Sequence, residues 1–207
     1  MFPLTAHPLQ VHALFEAAAL SGGAFYYRFL LKRAGVPSPG LLDGGSFAVL
    51  LGCLFGAALG NKLVFWAEMP DFALYWNKPE AWFAGQSVVG GLLGGLLGVE
   101  VAKKLAGVHR STGDAFVFPV LLGLIIGRIG CFIAGLADGT FGIPTGMPWA
   151  IDFGDGIPRH PTQLYEIGFA VTLWWLLSQV RPAVAAESGL LFKVMLSAYL
   201  LWRLVVG

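Results

Sequence analysis

No side chain between Asp114 and Arg128 carries a charge, and runs of this kind recur along the chain. A transmembrane helix needs about 20 mostly apolar residues. Apolar stretches separated by charged or Pro/Gly-rich breaks fall at roughly 11–31, 45–66, 84–102, 115–136, 161–180 and 188–206. Only 12% of the 207 residues are charged, against roughly 25% in soluble domains. The expected fold is therefore all-α: a polytopic membrane bundle of about six transmembrane helices. An irregular extracytoplasmic loop is expected between helices four and five. No long linker or low-complexity tail interrupts the chain, so residues 1–207 are expected to form a single transmembrane domain.

A formal net charge of +1 offers no basic stripe to release counterions, so no nucleic-acid partner is expected. Cys53 and Cys131 both lie inside apolar runs. Neither a disulfide framework nor a metal site is expected from their spacing, and no motif calls for a cofactor. The N-terminus has no basic region before its first apolar run, so no cleavable signal peptide is expected.

Basic residues set the orientation. Lys32, Arg33, Lys103, Lys104, Arg110 and Arg181 fall in alternate connections, while Glu68, Asp71, Glu80, Asp138, Asp152 and Asp155 populate the others. By the positive-inside rule the first set is cytoplasmic and the N-terminus lies outside. Glycines four apart, as in Gly52, Gly56, Gly60 and Gly90, Gly94, Gly98, permit close helix approach in lipid.

With that orientation, polar residues of different spans converge on one depth. His12 and Glu16 share a face in the outer part of span one, and Asn61 and Lys62 end span two. Arg128 lies roughly 15 Å below the outer end of span four at 1.5 Å per residue. Gln163 and Glu166, three apart, sit within two turns of the start of span five, and Arg203 lies at mid-depth or above in span six. Buried ionisable groups cost ~2.5–3.5 kcal/mol each on the milder insertion scales and mark function by default. Simple pairing is the competing reading: Arg128 with Glu166, Lys62 with Glu16. Yet Arg128, Lys62 and Arg203 outnumber the two glutamates, and the surplus suits an anion such as a phospholipid phosphate, which arginine binds bidentately. At the head of span five, Pro161 suits a first helical turn, and His160 or Thr162 is placed to cap free amides.

Two segments, "GRIGCFIAGLADG" (Gly127–Gly139) and "PTGMPWAIDFGDGIPRHPTQLYE" (Pro144–Glu166), carry a resemblance to the bacterial prolipoprotein diacylglyceryl transferase family. It extends more weakly to Ser87–Gly95 and Ser197–Gly207. The resemblance implies an enzyme of the bacterial inner membrane, multi-pass, with its site toward the outer leaflet. Such enzymes move the diacylglyceryl group of phosphatidylglycerol to a lipobox cysteine thiol and release glycerol phosphate. By motif position, Arg128 and Arg203 would bind the donor phosphate. His160, Gln163, Tyr165 and Glu166 would line the site, with Arg159 and Asp138 beside it, and Gly139 would close the motif after span four. His160 and Glu166 are the candidates to take the acceptor's proton. The partners implied are phosphatidylglycerol and a lipoprotein precursor or another lipid acceptor.

The departures from the family are specific. Cys131 and Ala134 stand where asparagines are usual, Leu136 where a glutamate is, and Val89 where a histidine precedes paired glycines. The family continues past the position of Gly207 with an acidic residue and another helix, so a seventh span is expected to be missing. Cys131 reads as a small buried residue filling an asparagine's space, or as a nucleophile beside Arg128. Asp138 is placed to stand in for the lost glutamate. The alternative function is a phospholipid-binding or lipid-translocating protein that has kept the phosphate pocket without the chemistry.

Overall fold

The computed structural model describes residues 4–35, 44–68, 87–109, 111 and 113–206. Among these, six α-helices occur: α1 Pro8–Arg33, α2 Gly44–Glu68, α3 Val88–Leu105, α4 Gly113–Ala134, α5 Thr162–Val184 and α6 Leu190–Val206. Each coincides with one of the six apolar runs. The start of the third run, before Ser87, lies outside the described residues, as do Asp71, Glu80 and Arg110. Among the described helices, three are long and apolar enough to cross a membrane, Phe47–Glu68, Gly113–Ala137 and Thr162–Val184. Helices suit that solvent because every backbone N–H and C=O is satisfied within its own segment.

Large apolar side chains point outward along these helices: Leu20, Phe25, Phe55, Trp175, Leu204 and Val205 are all exposed. A soluble surface rarely exposes so many large apolar side chains. Facing lipid, these side chains need no cover.

The chain packs as two compact units, Met1–Ser38 with Ser111–Gly207, and Pro39–Arg110. In the smaller unit α2 and α3 run antiparallel, with Gly52, Gly56 and Gly60 set against Gly98, Gly94 and Gly90. A Cβ on any of the six would collide with a backbone oxygen of the facing helix. Lipid tails are as apolar as the side chains, so association here rests on van der Waals contact rather than on expulsion of water. Glycine at all six positions makes that contact possible. Asn61 closes the end of the pair: its Oδ1 accepts from the Ser87 amide at 2.8 Å, and Ser87 caps α3 by accepting from the Gly90 amide.

In the larger unit α1 lies antiparallel to α4, with Gly130 against Phe15 and Gly23 against the Pro119 carbonyl. Its core joins Val117, Phe118 and Leu121 of α4, Ala170, Leu173 and Leu177 of α5, and Leu191 and Met195 of α6. Asp114, in the first turn of α4, accepts from the amides of Gly189 (2.6 Å) and Phe192 (2.9 Å) at the head of α6. A carboxylate at a helix start satisfies orphan amides and complements the positive end of the dipole. The same contact fixes α4 and α6 in parallel with their first turns level. Arg128 and Arg203 lie at comparable distances along the two helices, so this register brings them to one depth.

The segment between α4 and α5, expected to be irregular, holds a short β-ribbon. A 3₁₀ turn, Gly135–Ala137, ends α4, and β1 (Ile151–Asp152) pairs antiparallel with β2 (Pro158–Arg159). A backbone bridge adds Pro144 to the other side of β2. The β1–β2 turn is made by Asp152, whose Oδ1 accepts from the amides of Gly154 and Gly156. Both glycines have positive φ, 110° and 78°, a conformation that glycine adopts without steric cost. Phe153 is buried beneath the ribbon against Phe132 and Phe141, which anchors the loop to the end of α4.

Candidate functional site

Glu166 is the hub of the buried polar cluster. Its Oε2 lies 2.8 Å from Arg128 Nη2 and 3.4 Å from Arg203 Nη1, and its Oε1 accepts from the Tyr199 hydroxyl at 2.6 Å. Three helices contribute, and each does so by simple geometry. Glu166 is in the second turn of α5, which enters from the loop side, while Arg128 and Arg203 reach the same depth along α4 and α6. Tyr199 and Arg203, four apart, share one face of α6.

The pairing of Arg128 with Glu166 considered from the sequence is therefore present, but it does not exhaust the charge. Two guanidinium groups share one carboxylate. Arg203 uses one of its five N–H donors on Glu166, and its buried Nε has no partner among the described residues. The Arg203 side chain is 31% exposed, against 8% for Arg128 and 3% for Glu166. Arg203 thus presents unused donors at the accessible edge of a cluster with a net positive charge.

Gln163 is fully buried (0% exposed), and neither Nε2 nor Oε1 has a hydrogen-bond partner among the described residues. Buried polar groups are nearly always paired in folded proteins. This unpaired amide lies one turn from Glu166 on the same helix.

His160 does not meet Glu166 through a hydrogen bond. Its Nδ1 lies 2.9 Å from the Tyr165 hydroxyl, which also accepts from Trp149 Nε1 at 2.7 Å. The tautomer with the proton on Nδ1 donates to Tyr165 and leaves Nε2 as a bare lone pair. The loop backbone holds the residue on both sides, with His160 N donating to Ile143 O and Gly142 N donating to His160 O. A Cβ on Gly142 would lie 2.8 Å from the His160 Cβ, so only glycine lets the strands close here.

Neither His160 nor Thr162 caps α5. The N-cap is Pro161, without a side-chain bond, and Thr162 Oγ1 instead donates to the Thr140 carbonyl. Pro161 therefore stands just before the first helical turn, not within it.

Arg159 is engaged within the loop. Nη1 and Nη2 take the two oxygens of Asp155 at 2.6 and 2.7 Å, Nη1 also donates to the Ile157 carbonyl, and the guanidinium lies 4.8 Å from the Phe141 ring centroid. The hydrogen bond from Arg159 is the main reason that the Asp155 carboxyl sits below its usual range, and the same bond raises the Arg159 guanidinium. Gly139 has φ of 72° and open space around it, so its part is the turn out of the 3₁₀ segment.

Asp138 faces α1. Its Oδ1 lies 3.1 Å from His12 Nδ1, and its Oδ2 accepts from Thr140 Oγ1. Glu16, weighed from the sequence as a partner for Lys62, lies 3.3 Å from His12 Nε2. Cys131 lies one turn from Arg128, with Nη1 to Sγ at 4.0 Å.

The whole chain, residues 1–207, matches the family model described as prolipoprotein diacylglyceryl transferase. The chain belongs to that family. Among curated relatives, a phosphatidylglycerol–prolipoprotein diacylglyceryl transferase of Nitratidesulfovibrio vulgaris is 37% identical over 171 residues, 77% of this chain and 63% of the relative. Enzymes of the same name from Bordetella avium and Dechloromonas aromatica are 34% and 33% identical, covering 96% and 89% of this chain. The chain spans 77% and 74% of those two relatives' own lengths.

Two residues of the site, Tyr199 and Trp149, carry little signal in the sequence. Tyr199 was accessible to the rule that residues four apart share a helix face, applied back from Arg203. Trp149 was not, because only the path of the loop brings it to Tyr165.

Proposed function

We propose that this family member is a membrane transferase that moves the diacylglyceryl group of phosphatidylglycerol to a cysteine thiol of a lipoprotein precursor. The observation that carries the proposal is the pair Arg128 and Arg203 on one carboxylate, with surplus charge and unused donors. A phosphodiester supplies the missing anion, and Gln163 supplies an amide for a glycerol hydroxyl or ester oxygen. Six membrane spans, an outside N-terminus and a site open to the outer leaflet of the bacterial inner membrane complete the reading. The distribution of basic residues and the six helices support it.

In the reaction the acceptor sulfur attacks the diacylglyceryl carbon bonded to the phosphate oxygen. The S–C bond forms, the C–O bond breaks, and the electron pair leaves with glycerol phosphate. Arg203 and Arg128 stabilise the charge that grows on the leaving phosphate, an electrostatic contribution that is commonly the largest in such sites. His160, through Nε2, takes the acceptor's proton, with Tyr165 and Trp149 fixing its ring. For Glu166 the geometry favours positioning over proton abstraction, because three donors already converge on its two oxygens. Arg159, Asp138 and Gly139 shape the loop beside the headgroup.

Quantifying co-purified phosphatidylglycerol in wild type, Arg128→Lys and Arg203→Lys tests the phosphate role. Lysine keeps the charge but loses the two-pronged geometry, so both variants should retain less lipid, Arg203→Lys more markedly. Unchanged retention in both would return the arginines to structure alone.

A further inference from the structure

Cys131 of α4, Asp138 at the end of the 3₁₀ turn and His12 of α1 each bring one potential ligand atom to a common point, all within 4.8 Å of one another. These residues come from three elements, and His12 is far from the other two in sequence. Spacing along the chain could not reveal them.

The surroundings are those of ligands held in place. His12 Nε2 is engaged by Glu16, which turns Nδ1 toward Asp138. Asp138 Oδ2 is held by Thr140, which leaves Oδ1 toward His12. Nδ1 and Oδ1 are 3.1 Å apart, yet His12 Nδ1 is buried and forms no hydrogen bond of good geometry. His12 Nδ1 is thus a buried nitrogen without a hydrogen bond, aimed at the Asp138 carboxylate. A carboxylate on the far nitrogen of a ligating histidine is also the usual outer shell of zinc sites.

We propose that His12, Cys131 and Asp138 bind a zinc-type divalent ion, whose open fourth position takes the acceptor thiol as a thiolate. Imidazole, thiolate and carboxylate together suit a borderline-soft ion, and one thiolate with one carboxylate neutralise its two positive charges. Ligand bonds of about 2.0–2.3 Å place tetrahedral ligands roughly 3.5 Å apart, inside the 4.8 Å within which the three atoms already lie. Three protein ligands leave one position for water or substrate, the pattern of reactive rather than structural zinc. A coordinated thiol is deprotonated outright. Its proton passes to solvent or His160, its sulfur attacks the diacylglyceryl carbon, and the C–O bond to phosphate breaks. The resulting thioether is a poor ligand and leaves. Arg128, 4.0 Å from Cys131 Sγ, places the phosphate beside the ion. This inference rests on the proposed function for the identity of the thiol, not for the ligand set.

The test uses the full chain in detergent, stripped with a chelator and titrated with Co²⁺. One equivalent should bind and give a thiolate-to-cobalt charge-transfer band. Cys131→Ser should lose the band, Cys53→Ser should keep it, and His12→Ala and Asp138→Ala should weaken binding by about tenfold or more. A lipobox-type cysteine peptide added to the wild-type cobalt protein should increase the band. Absence of a band in folded wild type, or its persistence in Cys131→Ser, overturns the site. If Cys131→Ser does not fold, wild-type binding undiminished in His12→Ala and Asp138→Ala does the same. A spectrum unmoved by the peptide overturns the thiol position. Cobalt binding without diacylglyceryl transfer would remove the proposed function and leave the ion site standing. Transfer at full rate in chelator-stripped protein would overturn the ion's part in the reaction and leave the proposed function standing.

Discussion

The Tyr199 hydroxyl donates to Glu166 Oε1 at 2.6 Å, while the other oxygen of that carboxylate receives Arg128 at 2.8 Å. A tyrosine and an arginine from different helices thus meet on one buried group. Glu166→Gln keeps an acceptor but sets an amide N–H against the guanidinium groups or the hydroxyl. Breaking a buried pair from one side costs about 3–5 kcal/mol in soluble proteins. The variant should therefore show a clearly lowered thermal midpoint in detergent together with loss of transfer. Tyr199→Phe should cost less, about 1–3 kcal/mol, because one acceptor valence is left unmet. A fully stable, inactive Glu166→Gln protein would show instead that the carboxylate takes part in chemistry.

Asp114 ties the first turns of α4 and α6 together, and through them the depths of Arg128 and Arg203. Asp114→Ala should cost about 1 kcal/mol of stability as a lost cap. It should also lower phosphatidylglycerol retention, although it lies at the other end of the helices. Thermal stability and bound lipid, measured on one preparation, check both effects. Loss of stability with lipid unchanged would separate the cap from the site.

The six apolar runs delivered the helices because hydrophobic length and charge are local properties of a sequence. Glu166, Arg128 and Arg203 were legible for the related reason that a charge on an apolar helix needs a partner. The β-ribbon was not. Its strands are two residues long, and what holds them is Phe153 packing beneath and the Asp152 turn, neither of which has a periodic signature. Motif position places Arg159 beside the site, but its pairing with Asp155, four residues before it, depends on the path of the turn. The meeting of His12 with Asp138 depends on how α1 packs against α4, set by Gly130 and Gly23 accepting Phe15 and the Pro119 carbonyl. Small residues signal close packing without naming the partner.

The Asp155–Arg159 pair makes the loop sensitive to acid. A carboxyl held below its ordinary range stabilises the fold at pH values above the unfolded carboxyl's pKa, and that stabilisation is lost as pH falls through the lower, folded value. The loop should keep its structure through mildly acidic conditions and loosen only below the ordinary carboxylate range. Trp149 fluorescence against pH follows this. Asp155→Asn should remove the acid transition, and an unchanged transition in that variant would assign it elsewhere.

Gly94 of α3 meets Gly56 of α2 with no room for a Cβ. Gly94→Ala should destabilise the pair by about 1–3 kcal/mol, the usual cost of overpacking, whereas Gly91→Ala, with its nearest neighbours at 3.9 Å, should be nearly silent. Thermal stability of the two variants in detergent decides it. Equal effects would mean that the glycine stripe is not what holds α2 to α3.

Diacylglyceryl transfer itself is the most direct test. Purified protein in detergent is incubated with phosphatidylglycerol and a lipobox-cysteine peptide, and the peptide mass and released glycerol phosphate are both measured. The expected result is a peptide heavier by one diacylglyceryl group with an equal amount of glycerol phosphate, both abolished in Arg203→Ala and strongly reduced in His160→Ala. Phosphatidylglycerol bound tightly by folded protein, with no change in peptide mass and no glycerol phosphate released, would contradict the transferase and leave a lipid-binding protein.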